Sequence, residues 1–265
     1  MADNRYTQIL ERIFSDHYVN GLETVPFQRE EIVTVAHTLG IKLPKNLGDL
    51  IYTFRFRAPM PEKITATAPA GKFWIIRQAG RSKYCFVLSN QWSITPNPSL
   101  MRIKVPDATP GIIAMHALDD EQALLARVRY NRLIDIFTGV ACYSLQNHLR
   151  TSVKTLGQVE TDEIYVGVDR RGAQYVFPVQ AKGGRDSMSI VQIEQDLAMC
   201  AAKFPALLCR AIGAQFLADG VIALIEFVES EDGIRVASER HYQLVSPASL
   251  TIEDLMTYQK SNNQV

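Results

Sequence analysis

The stretch GQVETDEIYVGVDRRGAQYVFPVQAKGGRDSMSIVQIEQD, residues 157–196, decides the predicted fold. Polar and apolar residues alternate from Glu160 to Val168 and again from Gln174 to Lys182, a pattern typical of half-buried strands. The residues between them, Asp169-Arg170-Arg171-Gly172, fit a tight hairpin turn, because Gly172 tolerates the left-handed conformation that closes such turns. The stretch therefore predicts a β-hairpin.

The turn also fixes which residues of the hairpin face each other. If the loop 170–172 closes the turn, Asp162 lies opposite Gln180 and Glu160 lies opposite Lys182, all on one face of the hairpin. Directly opposed side chains have Cβ atoms about 4.5–5.5 Å apart. We therefore expect two acids, an amide and a lysine to converge on one patch of the sheet.

A helix is expected directly after the hairpin. Ser189 is a suitable N-cap for a helix from Ile190 to Phe204, whose apolar residues recur at helical spacing. Three strand-like runs and a final helix follow, in the ranges Cys209–Phe216, Val221–Val228, Ile234–Val245 and Leu250–Lys260. Together these segments predict an α/β (α+β) fold in which a mixed sheet is flanked by helices.

Asp162 together with the tripeptide Gln180-Ala181-Lys182 resembles the active-site motif of the PD-(D/E)XK, or restriction-endonuclease-like, nuclease superfamily. The resemblance covers residues 145–245. It implies a restriction-endonuclease-like core and an Mg²⁺-dependent enzyme that hydrolyses DNA phosphodiester bonds. Gln180 departs from the motif, which usually has Asp or Glu at this position, and Glu160 is expected to restore the missing negative charge.

The resemblance also assigns roles to individual residues. Asp162 would be the main metal ligand, joined by the Ala181 carbonyl and the Gln180 side chain, since Mg²⁺ binds one or two carboxylates plus substrate phosphate. Lys182 would hold the attacking water and stabilise the charge that develops in the transition state.

Two polar residues near this motif are secondary candidates for the site. Glu163 is expected on the opposite face of its strand, together with Thr161 and Tyr165. Gln192 lies near the start of the predicted helix, where its side chain could bond to substrate or to a metal-bound water.

Two further candidates precede the hairpin. A long helix is predicted from Asp119 to Val140, and the residues from Ala141 to Val153 are predicted to continue it. This continuation carries His148 and Arg150, which are expected to reach a phosphate group.

The distribution of charge indicates a nucleic-acid partner even though the net charge is zero. Between Ile51 and Val105, nine basic residues stand against one acid, Glu62, and aromatic residues are interspersed. Such a block is the expected footprint of a protein that binds a phosphate backbone. The predicted DNA contacts are Arg55, Arg57, Arg77, Arg81 and Lys83. Alternatively, this basic surface complements the acidic remainder of the same chain.

The N-terminal part of the chain is expected to form a separate domain. Three helices and a strand-turn-strand segment, in the ranges Tyr6–Tyr18, Arg29–Leu39, Leu47–Phe54 and Lys72–Asn90, resemble a helix-turn-helix with a basic wing. We divide the chain into a basic DNA-recognition domain (1–105), a linker (106–117), a nuclease domain (118–250) and a C-terminal helix with a tail (251–265). A packing domain without a DNA role is the alternative for the N-terminal part.

Several function classes find no support in the sequence. The four cysteines, Cys85, Cys142, Cys200 and Cys209, lack zinc-ligand spacing and are expected to be buried thiols of a cytoplasmic protein. No apolar run has the length of a membrane span, and the first residues do not resemble a signal peptide. The sequence also lacks a glycine-rich phosphate loop, which disfavours a nucleotide-binding metabolic enzyme.

These observations predict an Mg²⁺-dependent, sequence-specific endonuclease that cuts double-stranded DNA, similar to a type II restriction enzyme. We expect a homodimer, since two active sites related by two-fold symmetry match a palindromic sequence. A DNA methyltransferase acting separately would be its partner in restriction and modification. The alternatives are a repair or recombination nuclease that recognises DNA structure, and a DNA-binding protein in which Gln180 marks a degenerate site.

Overall fold

The computed structural model describes residues 5–118, 120–154, 156–184, 186–231 and 233–262. Asp119, the predicted start of the long helix, lies outside this described part, as do residues 1–4 of the predicted N-terminal domain and residues 263–265 of the predicted tail. Within the described ranges, no helix is long and apolar enough to cross a membrane.

Residues 5–89 fold around a hydrophobic core of their own. Their elements are α1 (Arg5–His17), β1 (Thr24–Gln28), α2 (Arg29–Thr38), α3 (Gly48–Tyr52), a π-helical turn (Thr53–Arg57), α4 (Glu62–Thr65), β2 (Phe73–Gln78) and β3 (Lys83–Ser89). Strand β3 pairs antiparallel with both β1 and β2. The buried side chains of Ile9, Phe14, Trp74 and Phe86 join the helices to this three-stranded sheet. The predicted helices and hairpin are present, and β1 is an addition to them.

The remainder of the chain is organised around an eight-stranded mixed sheet. Its elements are β4 (Ser93–Ile94), β5 (Arg102–Pro106), α5 (Gly111–His116), α6 (Glu121–Tyr130), α7 (Leu133–Thr138), β6 (Ala141–Val153), β7 (Gly157–Val168), β8 (Gln174–Lys182), β9 (Met188–Ser189), α8 (Ile190–Lys203), β10 (Leu208–Cys209), β11 (Ala211–Phe216), β12 (Val221–Ser230), β13 (Gly233–Val245) and α9 (Ile252–Asn262). The strand order is β5-β13-β12-β11-β8-β7-β6, with β10 also beside β8. Helices α6 and α7 cover one face and α8 covers the other. The predicted mixed sheet flanked by helices is confirmed.

The position of β5 moves the boundary between the two domains. Residues up to 105 are predicted to belong to the N-terminal domain, but β5 runs parallel to β13 at the edge of the large sheet. Lys104 Nζ forms an ion pair of 2.9 Å with Asp254 of α9. The predicted linker also contains α5. The chain has therefore joined the C-terminal domain by residue 102.

The hairpin of β7 and β8 has the predicted register. Its turn closes with a bond of 3.0 Å from the Asp169 N–H to the Ala173 carbonyl, and Gly172 has a φ of +83°. The antiparallel pairing of the two strands ends with Glu163 opposite Val179. The hairpin is therefore open at the end that carries the candidate catalytic residues.

The long helix predicted before the hairpin is wrong in two places. The left-handed conformation of Arg132, with a φ of +50°, separates α6 from α7, and Gly139 ends α7. Residues 141–153 are not helical but form β6, the edge strand that pairs with β7. Most side chains of β6 are exposed. The sequence therefore lacks the alternation that marks a half-buried strand.

The predicted faces of β7 are correct only in part. Glu163 forms an ion pair of 2.9 Å with Arg129 of α6, whereas the Thr161 hydroxyl donates to Asp196 of α8. Because α6 and α8 cover opposite faces of the sheet, Thr161 and Glu163 do not share a face. The change of face falls at Asp162, immediately beyond the last pair of the β7–β8 ladder.

Two smaller predictions are met only in part. Cys142 and Cys200 are buried as expected, but Cys85 and Cys209 are half-buried. Ser189 precedes α8, yet its side chain does not cap the helix. Its hydroxyl instead donates to the Arg55 carbonyl at 2.7 Å, which ties the start of α8 to the N-terminal domain.

Candidate active site

The open end of the hairpin lies on a cleft of about 1320 Å³ that residues of both domains line. The predicted catalytic residues found on its wall are Glu160, Asp162, Gln180 and Lys182. The predicted DNA contacts found there are Arg55, Arg57 and Arg81, and the secondary candidates are Gln192 and Arg150. The cleft therefore brings the candidate catalytic residues together with part of the basic block.

Asp162 is held by the backbone of the neighbouring strand. Its Oδ2 accepts a hydrogen bond of 2.8 Å from the Ala181 N–H, just where the backbone ladder between β7 and β8 has ended. Burial raises the pKa of Asp162, while the Ala181 N–H and the nearby Lys182 charge oppose this rise. The carboxylate is thus fixed in position in a site that already favours an additional positive charge.

Lys182 faces an acid that the motif did not reveal. Its side chain is 11% exposed, and Nζ lies 3.6 Å from Oε1 of Glu121, in the first turn of α6. Burial raises the pKa of Glu121. The charge of Lys182 opposes this rise, whereas the charges of Asp162 and Asp186 add to it. Glu121 therefore belongs to the same electrostatic cluster as Asp162. No local pattern joins residues so distant in sequence.

Gln180 is bonded to a second unexpected acid, Asp196 of α8. Gln180 Nε2 donates to Asp196 Oδ2 at 3.0 Å and also to the Glu160 carbonyl at 3.1 Å. Asp196 is fully buried, and burial raises its pKa to about 7 against the hydrogen bonds from Thr161 and Gln180. These contacts of Gln180 are made with protein groups, so its role as a metal ligand stays a prediction. A carboxylate nevertheless stands beside the position where the motif lacks one.

Two glutamines of α8 that line the cleft carry buried side-chain atoms without a hydrogen-bond partner among the described residues. Gln192 and Gln195 are both more than nine-tenths buried and line its wall. Gln192 Nε2 donates to Gln180 Oε1 at 3.4 Å, but among the described residues Gln192 Oε1 and Gln195 Nε2 have no hydrogen-bond partner. Because an unsatisfied buried polar atom costs about 1–3 kcal/mol, a bound group is expected to complete these bonds. The spacing of these glutamines and Asp196 along one helix face is the sequence signal for them.

Glu160 is neutralised by its neighbours on β6. His148 Nε2 lies 3.0 Å from Glu160 Oε1, and Arg150 Nη2 lies 2.9 Å from Oε2. The expectation that Glu160 lies opposite Lys182 in the β7–β8 ladder is wrong, since the ladder ends before it. Glu160 is thus held by contacts with β6, and its role in replacing the acid missing at Gln180 stays a prediction.

Glu163 lies outside the cleft. It is fully buried on the α6 face, where its Oε1 accepts hydrogen bonds from Arg129 at 2.9 Å and from the Ser144 hydroxyl at 2.5 Å. These contacts bind β6 and β7 to α6. The structure therefore gives Glu163 a role in packing.

The basic block divides into two groups. Four of its members form ion pairs within the chain, namely Lys63 with Glu11, Arg77 with Glu194, Arg102 with Asp219 and Lys104 with Asp254. Arg77, predicted to contact DNA at the wing tip, instead makes a bidentate pair with Glu194 of α8, with Nε 2.9 Å from Oε2. Lys83 is exposed but does not line the cleft. In these four pairs the basic residues bind acids elsewhere in the same chain, as the alternative interpretation of the block predicts.

Arg55 differs from those paired residues. Its Nε donates to the Ile76 carbonyl at 3.2 Å, and no carboxylate of the described residues lies within ion-pair distance. Burial lowers the pKa of Arg55 to about 10, which records the cost of holding this charge away from water. A half-buried guanidinium on a cleft wall without a carboxylate partner is suited to an anionic ligand.

The donor set limits how a metal ion could be held. Among the described residues, no three His, Cys, Asp or Glu side chains converge closely enough to bind a metal by themselves. Mg²⁺ needs fewer protein ligands, because it retains waters and is completed by substrate phosphate. Asp162 and Glu121 both line the cleft and are the carboxylates there that such an ion could use.

Comparison with known proteins adds no relative. No family model, no curated protein and no solved structure matches this chain.

The raised pKa of Asp196 predicts a dependence of stability on pH. Between its ordinary value of 3.8 and about 7, the folded protein retains a proton on Asp196 that the unfolded chain has lost. The contribution of this group to stability therefore falls as pH rises through that window and is lost above pH 7. The measurement is the free energy of unfolding by urea, with EDTA present, at pH 5 and at pH 8. We expect its decrease between these pH values to be smaller in Asp196→Asn than in the natural chain, by roughly 1–3 kcal/mol.

Asp16→Asn is the matched control, since Asp16 is a surface residue that pairs with Arg12 within α1. It is expected to retain the slope of the natural chain. The same slope in Asp196→Asn as in the natural chain would show that Asp196 titrates normally.

Proposed function

We propose that the protein is an Mg²⁺-dependent endonuclease that hydrolyses phosphodiester bonds in double-stranded DNA. The observation that carries the proposal is one cleft lined by Asp162 and Lys182 together with Arg55 and Arg57, for which the described residues provide no carboxylate within ion-pair distance. An acid and a lysine alone are ordinary surface chemistry. Their position on the same wall as Arg55 and Arg57 supports a substrate that is both polyanionic and cleaved.

The charges of the cleft agree with a DNA backbone. Arg55, Arg57 and Arg81 come from the N-terminal domain and Lys154 comes from the turn that follows β6, whereas Arg150 of β6 is already paired with Glu160. Neutralising several phosphates with such side chains provides most of the affinity of a protein for DNA and makes that affinity dependent on salt. Arg55, already desolvated, is the strongest candidate for a direct phosphate contact.

The carboxylates on the cleft wall fit an Mg²⁺ ion that is completed by substrate. Asp162 would be the principal ligand and Glu121 the second. When bound, the ion lowers the pKa of a coordinated water and offsets negative charge on the phosphate. Asp196, bonded to Gln180, would supply the negative charge that the motif lacks at residue 180.

The other polar side chains would position substrate and stabilise charge. Lys182 would stabilise the charge that accumulates on the phosphate oxygens in the transition state. Gln192 and Gln195, which line the same cleft, would hold substrate or an ordered water through their amide groups.

The finer proposal is cleavage at a fixed sequence by a homodimer, as in type II restriction enzymes that act alongside a separate DNA methyltransferase. The order of α2, α3, β2 and β3 supports a helix-turn-helix followed by a wing. Arg81, in the turn between β2 and β3, lines the cleft. The N-terminal domain would thus recognise DNA while the hairpin cuts it.

The test uses the full-length protein with supercoiled plasmid and phage DNA in Mg²⁺, in Mn²⁺ and in EDTA. We expect discrete fragments in Mg²⁺ and intact DNA in EDTA. Intact DNA in both Mg²⁺ and Mn²⁺ would contradict the proposal, and a gel shift of that intact DNA would indicate a DNA-binding protein. Cleavage confined to mismatched or branched DNA would indicate a repair nuclease in place of a restriction enzyme.

A further inference from the structure

Four side chains at the junction of α3 and the π-helical turn form a stack on the cleft wall. The rings of Tyr52 and Phe56 are 4.9 Å apart between centroids and meet edge to face at 69°. The Arg57 guanidinium lies 4.8 Å from the Tyr52 ring centre, and the Arg55 guanidinium lies 4.8 Å from the Phe56 ring centre. All four residues line the cleft. We call this arrangement the aromatic stack.

The aromatic stack is not part of the hydrophobic core. The core of the N-terminal domain takes Leu50, Ile51 and Phe54 from the same segment, and neither Tyr52 nor Phe56 is among its members. Tyr52 is 40% exposed. Two neighbouring rings that the fold leaves on a polar cleft wall point to a ligand with an apolar surface of its own.

The backbone of the π-helical turn keeps the two rings next to the candidate active site. The chain passes from an α-helix into a π-helical turn at Thr53–Arg57, and such turns occur frequently at functional sites. This turn packs against β9 and against α8, the helix that carries Gln192 and Gln195. The Arg55 carbonyl also accepts the Ser189 hydroxyl at the start of α8.

From these contacts we propose that the aromatic stack binds the face of an unpaired DNA base in the cleft. The proposal rests on the proposed function, because it specifies which part of a DNA substrate contacts this wall. Aromatic rings stack on the π-face of any base, and arginines add cation–π attraction and phosphate contacts. Within a paired duplex the base faces are covered by neighbouring bases, and only the edges are accessible in the grooves. The stack therefore selects a base that has left the helix.

The acidic residues nearby do not alter this choice of ligand. Asp162 and Glu121 face Lys182, whereas the stack carries two arginines and no acid. The face of the base would contact the rings, and the attached phosphate would bind the guanidinium groups. Extrusion of a base from the duplex costs a few kcal/mol, and an unpaired base that is already available avoids this cost.

The experiment measures binding in EDTA at low salt, so that DNA stays intact. The full-length protein is titrated with a fully paired duplex, with the same duplex containing one bulged 2-aminopurine, and with the duplex whose bulge is an abasic site. We expect the bulged base to bind about tenfold more tightly than the paired duplex and the abasic bulge to lose this preference. Quenching of 2-aminopurine fluorescence on binding is expected to accompany the preference.

Matched variants assign the preference to the rings. Tyr52→Ala and Phe56→Ala are expected to remove it, with about tenfold weaker binding of the bulged duplex and little change for the paired duplex. Tyr52→Phe and Phe56→Tyr retain the rings and are expected to retain the preference. Thermal unfolding of each variant checks that the domain remains folded.

Several outcomes would overturn the proposal. Equal binding of the paired, bulged and abasic duplexes by the natural chain would remove its basis. An equal loss of affinity for all three DNAs in Tyr52→Ala would assign the rings to general backbone contact. Cleavage in Mg²⁺ is recorded separately. Base binding without cleavage would therefore refute the nuclease alone, and cleavage without base preference would refute the aromatic stack alone.

Discussion

Replacing Lys182 by alanine is expected to reduce the rate of DNA cleavage about 100- to 1000-fold, the range found when one preorganised donor to a transition-state charge is removed. The side chain is 11% exposed and lies 3.6 Å from Glu121, so its ammonium group is held on the cleft wall. Because this charge acts mainly on the transition state, DNA binding in EDTA is expected to fall by less than about threefold. Single-turnover cleavage and gel-shift titrations measure the two quantities separately.

Two further variants make this result interpretable. Lys203→Ala removes an exposed lysine from the end of the same helix that carries Asp196, and it is expected to cleave normally. Lys182→Met retains most of the buried aliphatic volume and serves if the alanine variant unfolds. Full activity in both Lys182 variants would remove the lysine from the mechanism.

Asp162→Asn is expected to have an even larger effect on cleavage, about 1000-fold or more, since an ion that stabilises transition-state charge contributes several kcal/mol. The asparagine carbonyl can still accept the hydrogen bond from the Ala181 N–H, so the hairpin is expected to remain intact. Loss of a buried negative charge beside the phosphates is expected to strengthen DNA binding in EDTA. Cleavage rates over a series of Mg²⁺ concentrations, with binding in EDTA, test both expectations.

The combination of lost cleavage and stronger binding distinguishes Asp162 from a residue that only supports the fold. Asp219→Asn is the control, because Asp219 is exposed, pairs with Arg102 and has a left-handed conformation that asparagine also adopts. It is expected to leave both quantities unchanged. Asp162→Asn with normal cleavage would refute the assignment of the metal ligand.

The hairpin could be predicted because its signals are local. The alternation of β7 and β8 and the position of Gly172 fix the turn and therefore the register. The same register brings the Asp162 carboxylate beside Ala181, whose N–H donates to it at 2.8 Å, although the ladder ends before Glu160 could lie opposite Lys182. These features depend on neighbours within one turn, and no information from elsewhere in the chain is needed.

The missed features depend on contacts between distant segments. Strand β6 is mostly exposed at the sheet edge, so its polar sequence resembled the surface of a helix. Glu121 reaches the site only through the packing of α6 on the sheet. Asp196 is a polar residue with no local signal for burial, yet it is fully buried, and Thr161 and Gln180 donate hydrogen bonds to its oxygens.

The basic block illustrates a different limit of sequence. Three arginines of the block, Arg55, Arg57 and Arg81, line the cleft, but charge density could not show which basic residues already have an acidic partner. Arg77 and Arg55 occur within one short block, and only the folded chain separates the bidentate pair of Arg77 with Glu194 from the unneutralised charge of Arg55.

The two attachments between the domains limit how this protein could be rebuilt. Arg77 binds Glu194, and the Arg55 carbonyl accepts the Ser189 hydroxyl, so both join the N-terminal domain to α8. A foreign recognition module grafted onto the C-terminal domain would lack these two anchoring points. Chimeras that preserve Arg77 and the backbone around Arg55 should therefore fold more successfully than those that exchange the whole N-terminal domain. Natural variation in specificity should spare the same two positions.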